Sequence, residues 1–391
     1  MDLTTVTGNV RDVAASFAQQ RDERQRRRAL DPHDFDQLRQ AGLLLMSVPA
    51  SHGGLWESAP RSTRSLAEML RTLAKADSSV ALVASMHSAV ISSAGWLADR
   101  RLAPPYDECW EEQRRWVFQT VLDGAWWSTI ASEPGSGGDT SKTRAVARRG
   151  QAAGEYRISG LKHFGSGTGI ASYMITLAVP EGEEARDDFI LDMRGIPMDG
   201  SAGAKLVAPW DGHGMAATQS HMLMFEDFPA QRAAAPHHVR RSASGGGSPL
   251  WPAIMAGIVE TAMKTAREQL GRRPQWRAFE CVEWTRAEVE AWLVEQAYEG
   301  MLRDVEQGGS SRGLAKIAIA ELAESVLQRL CRIVGGGTYG RESPFGFWFE
   351  DVRALGFLRP PWGLAFDNLF EAAWPPLSPG GPERSATDGV H

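Results

Sequence analysis

The stretch WWSTIASEPGSGGDTSKT, Trp126–Thr143, sets two tryptophans and a β-prone run directly before a cluster of glycines. One acidic residue, Glu133, stands locked to Pro134 between them. Gly, Ser, Pro and Asp at this density make turns between strands. Gly135, Gly137 and Gly138 also lack a Cβ, so their backbone N–H groups are open to a phosphate. No Gly-Lys-Ser/Thr follows, which excludes a Walker loop, and the spacing does not fit G-x-G-x-x-G. A phosphate bound here is held in some other manner, which the rest of the chain has to supply.

Working outward, the period of the apolar residues changes twice. Before Trp126 the signals are helical. LDPHDFDQLRQAGLL offers Asp31 as a cap and Pro32 at the first helical position. RSTRSLAEMLRTLAKADSSVALVASMHSAVISSAGWLA reads as two helices joined near Asp77-Ser78-Ser79, the second apolar all round and therefore buried. After Trp126 the runs GEYRISGLKHFGSG, ASYMITLAV, DDFILDM and SHMLMFEDF are short, rich in β-branched and aromatic residues, and bounded by Gly, Pro or Asp. RRSASGGGSP is a flexible loop by composition. Helical period returns from Leu250 to about Gln307 and from Gly313 to Val334, with Pro274 ending or kinking the first pattern. The tail from Pro375 is rich in Pro, Gly and Ser and reads as disordered. The expected class is α+β, with an N-terminal helical domain over 1–125, a middle β domain over 126–236 and a C-terminal helical domain over 248–374. Ligands commonly bind where such domains meet.

The bulk properties narrow the function. The chain has 391 residues, long enough for two or three domains. It is 43% hydrophobic and 23% charged, ordinary for a globular protein, and its net charge of −6 argues against nucleic acid as a partner. The basic run Arg21–Arg28 is interleaved with Glu and Gln and reads as a solvated helix face. Cys109, Cys281 and Cys331 are scattered, with no CxxC or His/Cys cluster to suggest a metal, and fit a reducing, cytoplasmic setting. No apolar h-region and no run near eighteen apolar residues occurs, so neither a signal peptide nor a membrane span is expected. The 14 tryptophans suit an enzyme that packs against a planar ligand. The long C-terminal helices carry apolar residues at Ile254, Ile258, Leu293, Ile317 and Leu322, more than one domain hides, which predicts a homo-oligomer.

Several segments, in order, resemble the acyl-CoA dehydrogenase superfamily of flavoproteins. SVPASHGGLWES is similar to its early Pro-Glu-x-x-Gly-Gly loop, AKADSSVAL to its Ala-Asp-x-Ser helix junction, and SEPGSGGD to Thr-Glu-Pro-x-Ala-Gly-Ser-Asp. ISGLKHFGSG resembles Asn-Gly-x-Lys-x-Trp-Ile-Thr, WDGHGMAATQSHMLMFEDFP the Gly-Met-Arg-x-Thr segment, and IVGGGTYGRESPFGFWFEDVR the late Gly-Gly loop with its Arg-Asp partner. The likeness spans about residues 40 to 365. It implies FAD more than FMN as cofactor, and a tetramer. It implies that Ser132 bonds the isoalloxazine edge and that the loop through Gly137 and Gly138 faces the pyrophosphate. Gly138 stands where the family usually has serine. Phe164 takes the place of the tryptophan over one flavin face. Ser166 replaces the threonine near the flavin's reactive nitrogen, where a hydroxyl can donate to reduced flavin or to an oxygen adduct. Gly335 and Gly336 match glycines that approach the cofactor from a neighbouring subunit, and Arg273 sits near the family's cofactor-binding arginine, although Pro274 follows where a helical residue is expected.

The resemblance fails at one position. The family's dehydrogenases remove an α-proton with a glutamate, and a general base must reach its proton. The usual place, eight residues after the residue that is here Asp351, holds Arg359. The alternative place falls near Gly247, and no acidic residue occurs between Asp227 and Glu260. Arginine takes up no proton at neutral pH. His87, on the apolar helix VASMHSAVI, is a candidate acid/base group, and Arg359 and Ser166 complete the candidate catalytic set. The superfamily also contains monooxygenases that use reduced flavin and oxygen, and HFGSG and DVRALGFLRPPW are closer to that branch, although it often has histidine where Arg359 stands. The sequence thus favours a monooxygenase over an acyl-CoA dehydrogenase with a displaced base, and both over a flavin-binding protein without catalysis. The expected partners are a small-molecule or acyl-CoA substrate and a flavin reductase or electron-transfer flavoprotein.

Overall fold

The computed structural model describes residues 1–98, 101–152, 154–240 and 248–374. The tail from Pro375, most of RRSASGGGSP and the alternative base position near Gly247 lie outside the described residues.

Five longer helices come first: α1 (Leu3–Gln19), α2 (Pro32–Gln40), α3 (Ala59–Ala74), α4 (Ser78–Ser93) and α5 (Asp107–Leu122). Asp31 and Asp77 cap α2 and α4, each accepting an otherwise orphaned N–H, from His33 and from Val80. Helix α4 has no polar face because neighbours surround it, and Val80, Ala81, Leu82, Val83 and Ala84 are all buried.

Seven strands follow: β1 (Trp127–Thr129), β2 (Val146–Arg149), β3 (Glu155–Gly165), β4 (Tyr173–Pro180), β5 (Asp187–Asp192), β6 (Ala204–Ala208) and β7 (His221–Arg232). They run in the order β1-β4-β2-β3-β7-β5, with β6 beside β7. A further β4–β5 pairing closes the path into a small barrel filled by Ile130, Ile158, Phe189, Leu191, Phe225 and Phe228. Strands β2 and β6 are not anticipated by apolar alternation. In β2 only Ala147 turns inward, so VARR carries almost no pattern.

The last helices are α6 (Leu250–Leu270), α7 (Ala278–Gln307), α8 (Arg312–Val334), α9 (Pro344–Val352) and α10 (Trp362–Ala373). Pro274 falls in the break between α6 and α7. Helix α6 lies hard against α3 at Gly257, where a Cβ would stand 2.5 Å from the Arg71 carbonyl oxygen. Among the described residues no helix is long and apolar enough to cross a membrane.

Two expectations are corrected. Arg24, inside the supposed solvated run, is only 3% exposed. It donates to both Asp34 oxygens, at 2.6 and 3.0 Å, and to Asp77 at 2.9 Å. The charge pattern of the run does not reveal that two distant carboxylates converge on one of its members. Ile254, Ile258 and Ile317 are buried within the chain itself and leave no surplus apolar surface. Of the expected set, Leu293 is exposed, in an apolar stripe on α7 with Phe279, Val282, Val289 and Trp292.

The three groups of elements meet at Asp351 on α9. Its carboxylate accepts the hydroxyl of Ser78 at the start of α4 and, at 2.6 Å, the amide N–H of Met215 between β6 and β7. Burial pushes its pKa from the ordinary 3.8 up to about 6. Between these values the folded chain holds a proton that the unfolded chain has released. The resulting stability is full at low pH and is lost as pH rises through 6. In paired urea titrations, wild type should lose up to about 3 kcal/mol relative to Asp351→Asn between about pH 4 and about pH 7. A difference between the two proteins that stays constant with pH would contradict this.

Candidate active site

Glu133 holds the Gly-rich loop in place. Its carboxylate accepts Lys162 Nζ at 2.7 Å and the backbone N–H groups of Arg144 and Ala145 at 2.8 and 3.1 Å. Burial opposes its charge, but these donors outweigh burial and hold its pKa below the ordinary value. Lys162 is fully buried and also donates to the Leu177 carbonyl. A bridge between Ser132 and His163, with the His163 N–H donating to the Ser132 carbonyl at 2.8 Å, joins the loop to the end of β3.

That end of β3 is bent. Phe164 has φ of 59°, a left-handed conformation rare for an aromatic residue, and its ring is half exposed. The ring stacks on His163 at 3.8 Å and meets Trp210 edge-on at 5.9 Å. Ser166, two residues on, is buried, and its carbonyl accepts the Ser128 hydroxyl at 2.5 Å. Gly135 and Gly137 both have positive φ, and a Cβ on either would meet nothing within 4 Å. An exposed aromatic face beside an unobstructed glycine loop fits a flavin ring and its phosphate. Gly138 differs. Its N–H donates to Ser136 Oγ, and a Cβ there would lie 2.7 Å from Pro361.

The segment after α9 completes the site. The Arg359 guanidinium donates to Ser132 Oγ at 2.9 Å. The buried Lys316 of α8 donates to the carbonyl oxygens of Leu358 and Pro360, on either side of Arg359. Burial lowers the Lys316 pKa to about 8, so the ammonium that grips this turn is charged at neutral pH. Two carboxylates precede this turn on α9. Glu350 accepts Arg353 at 2.7 Å, and Asp351 is held by Ser78 and Met215.

Ser132, Phe164, Ser166, Arg359 and the glycine loop are thus gathered at one place. Arg273, Gly335 and Gly336 form a second group at the C-terminal end of α8. There Arg273 donates to Glu280 at 2.9 Å and to the Val334 carbonyl at 3.0 Å. His87 stands in the core. Its Nδ1 accepts the Trp127 N–H at 3.0 Å, and its ring meets Trp126 edge-on. Burial drives its pKa to about 3, so it is neutral at pH 7 and its accepting nitrogen is already taken. Lys162, Trp210, Thr218, Ser220, Lys316 and Pro361 escape the motif reading. Two had a signal, Lys162 as the lysine of the strand motif and Thr218 as the threonine of the Gly-Met-Arg-x-Thr segment.

Comparison with known proteins sets this geometry beside one family. Residues 3–98 match the acyl-CoA dehydrogenase N-terminal domain. The chain is 28% identical over 382 residues to the amino sugar nitrososynthase DnmZ of Streptomyces peucetius, covering 90% of this chain and 87% of that one. The chain thus carries the N-terminal domain of the acyl-CoA dehydrogenases and resembles members of that superfamily over nine-tenths of its length. The solved structure of KijD3 in complex with FMN and dTDP-3-amino-2,3,6-trideoxy-4-keto-3-methyl-D-glucose superposes with a TM-score of 0.77 at 19% identity, over 95% of this chain and 93% of that one. Butyryl-CoA dehydrogenase of Megasphaera elsdenii shares the fold equally, with a TM-score of 0.77 at 19% identity, over 95% and 99%. The relatives and structural neighbours that it resembles are flavin-dependent oxidoreductases of that superfamily.

Proposed function

We propose that this flavoenzyme is a monooxygenase that takes reduced flavin and oxygen and transfers one oxygen atom to a small polar substrate. The observation that carries the reading is Arg359 on Ser132. A guanidinium sits where an acyl-CoA dehydrogenase needs a carboxylate, and it cannot accept an α-proton. Reduced flavin, when bound, supplies the two electrons that leave one oxygen atom of O2 as water and the other on the substrate. The work of the protein is to place charge. Arg359 would stabilise negative charge developing over the flavin edge and orient a polar substrate. A fixed cation also disfavours the protonated form of a neighbouring amine, which keeps a nitrogen lone pair available to take up oxygen. The similarity to an amino sugar nitrososynthase supports nitrogen as the atom oxidised.

FMN suffices as the flavin in this reading. Pro361 covers Gly138, so the open part of the loop ends at Gly137, enough for one phosphate. The FMN in KijD3 supports the same choice. Sequence resemblance favoured FAD through the glycine loop together with the distant Gly335-Gly336 pair; near that pair Arg273 is engaged by Glu280 and the end of α8. A flavin reductase would supply the reduced cofactor.

The stripe Val282, Val289, Trp292 and Leu293 falls on one side of α7 at helical spacing, with Trp292 60% exposed. We infer that it pairs copies of this chain.

Two experiments test these readings. Wild type should bind FMN at least as tightly as FAD. Its oxidised flavin should keep its visible absorbance when acyl-CoA thioesters are added without oxygen. Supplied with reduced FMN and a panel of amino sugars, it should consume oxygen in a substrate-dependent manner. Arg359→Glu should slow that turnover about a hundredfold while FMN affinity changes less than about threefold. Bleaching of the flavin by an acyl-CoA would overturn the monooxygenase reading. In sedimentation velocity at micromolar concentration, wild type should be an oligomer that Trp292→Asp dissociates; a monomeric wild type would refute the stripe's role.

A further inference from the structure

Behind Phe164 three hydroxyls form a line whose direction is set. Ser166 Oγ lies 2.8 Å from Ser220 Oγ, and Ser220 Oγ lies 2.7 Å from Thr218 Oγ1. Thr218 Oγ1 lies 2.8 Å from the carbonyl oxygen of Met215, which can only accept. Each hydroxyl has one proton and two lone pairs. Thr218 gives its proton to Met215. Ser220 must then give its proton to Thr218, and Ser166 must give its own to Ser220. Reversing any member would set two lone pairs against each other at hydrogen-bond distance.

The far end is anchored. The Met215 carbonyl also accepts the Trp210 indole N–H at 3.0 Å and the Thr218 amide at 3.1 Å, and the Met215 N–H is bound to Asp351 at 2.6 Å. The near end is held as well, since the Gly167 N–H donates to the Thr218 carbonyl at 2.8 Å. Thr218, Ser220 and Ser166 are all buried.

We propose that this line makes Ser166 an acceptor toward the flavin, so that the site favours reduced over oxidised cofactor; Ser220 and Thr218 are its positioning residues. The proposal rests on the reading that Ser166 faces the flavin's reactive nitrogen. That nitrogen carries a proton in reduced flavin and a lone pair in oxidised flavin. Toward reduced flavin, Ser166 accepts and every bond of the line survives. Toward oxidised flavin, Ser166 either meets a lone pair with a lone pair or withdraws its proton from Ser220, leaving a buried group short of a partner. The family resemblance had implied a donating hydroxyl. The line reverses that direction, and the reversed direction suits an enzyme that takes up its flavin already reduced.

The test compares the dissociation constants of oxidised FMN and dithionite-reduced FMN under anaerobic conditions. Wild type should bind the reduced form more tightly. Thr218→Val keeps the volume but removes the hydroxyl, which frees Ser220 and then Ser166 to turn. Ser220→Ala frees Ser166 directly. Either change should lower the oxidised-to-reduced ratio of dissociation constants about tenfold, a fall of about 30 mV in the midpoint potential of bound flavin. Thr218→Ser retains the hydroxyl and should retain the wild-type ratio. A ratio unchanged in both Thr218→Val and Ser220→Ala, with flavin still bound, would overturn the proposal alone. A wild type that binds neither form would overturn the flavin site and the proposal with it.

Discussion

One buried carboxylate ties the molecule together. Asp351 reaches from α9 to the first residue of α4 and to the loop between β6 and β7, accepting from Ser78 and Met215. Next to Ser78, Asp77 caps α4 and binds Arg24. A carboxylate out of water is costly without donors, and these donors come from separate parts of the chain, so they have to be held in register. The same contact extends toward the chemistry. Met215 gives its N–H to Asp351 and its carbonyl to Thr218, so the hydroxyl line that ends at Ser166 starts at the junction of the three groups of elements.

A second buried charge system places the opposite wall. Lys162 and Glu133 neutralise each other inside the barrel end, and Glu133 also binds two amides beyond the glycine loop. Ser132 is adjacent to that carboxylate and has little freedom. Arg359 arrives on Ser132 from a turn whose flanking carbonyls are gripped by Lys316. The fold thus invests two buried lysines in presenting one hydroxyl and one guanidinium. In the proposed reading this arrangement would set a permanent positive charge beside the flavin edge, at the position where an acyl-CoA dehydrogenase has its carboxylate, which is what would separate oxygen transfer from α-proton removal.

Much of this was legible in the sequence because it is local. Asp31 and Asp77 are caps, and caps depend on residues a few positions away. Strands β3, β4, β5 and β7 are rich in β-branched and aromatic residues and bounded by Gly, Pro or Asp, while β2 and β6 are short and present few residues to the core. Ser132, Phe164 and Ser166 were found through motif spacing, and Arg359 through the aspartate that precedes it. The remainder depends on contacts between distant positions. Nothing in RQRRR marks Arg24 as the member that is buried, because its partners are Asp34 and Asp77. Ile254 and Ile258 read as surplus surface until α3 covers α6. His87 is a plausible acid on paper, but its accepting nitrogen is taken by the Trp127 amide. The line from Thr218 to Ser166 joins two segments more than forty residues apart, and its direction follows only from which atoms touch.

The central claim is that Ser132, Ser166 and Arg359 together form the edge of a flavin site. A crystal structure of the protein with FMN tests it most directly. The account predicts that the ring system lies against Phe164, with Ser132 and Ser166 within hydrogen-bond reach of its edge, about 3 Å, and the Arg359 guanidinium beside it. Its phosphate should lie at Gly135–Gly137. FMN bound elsewhere, or bound here with a carboxylate rather than Arg359 facing its reactive edge, would contradict the account.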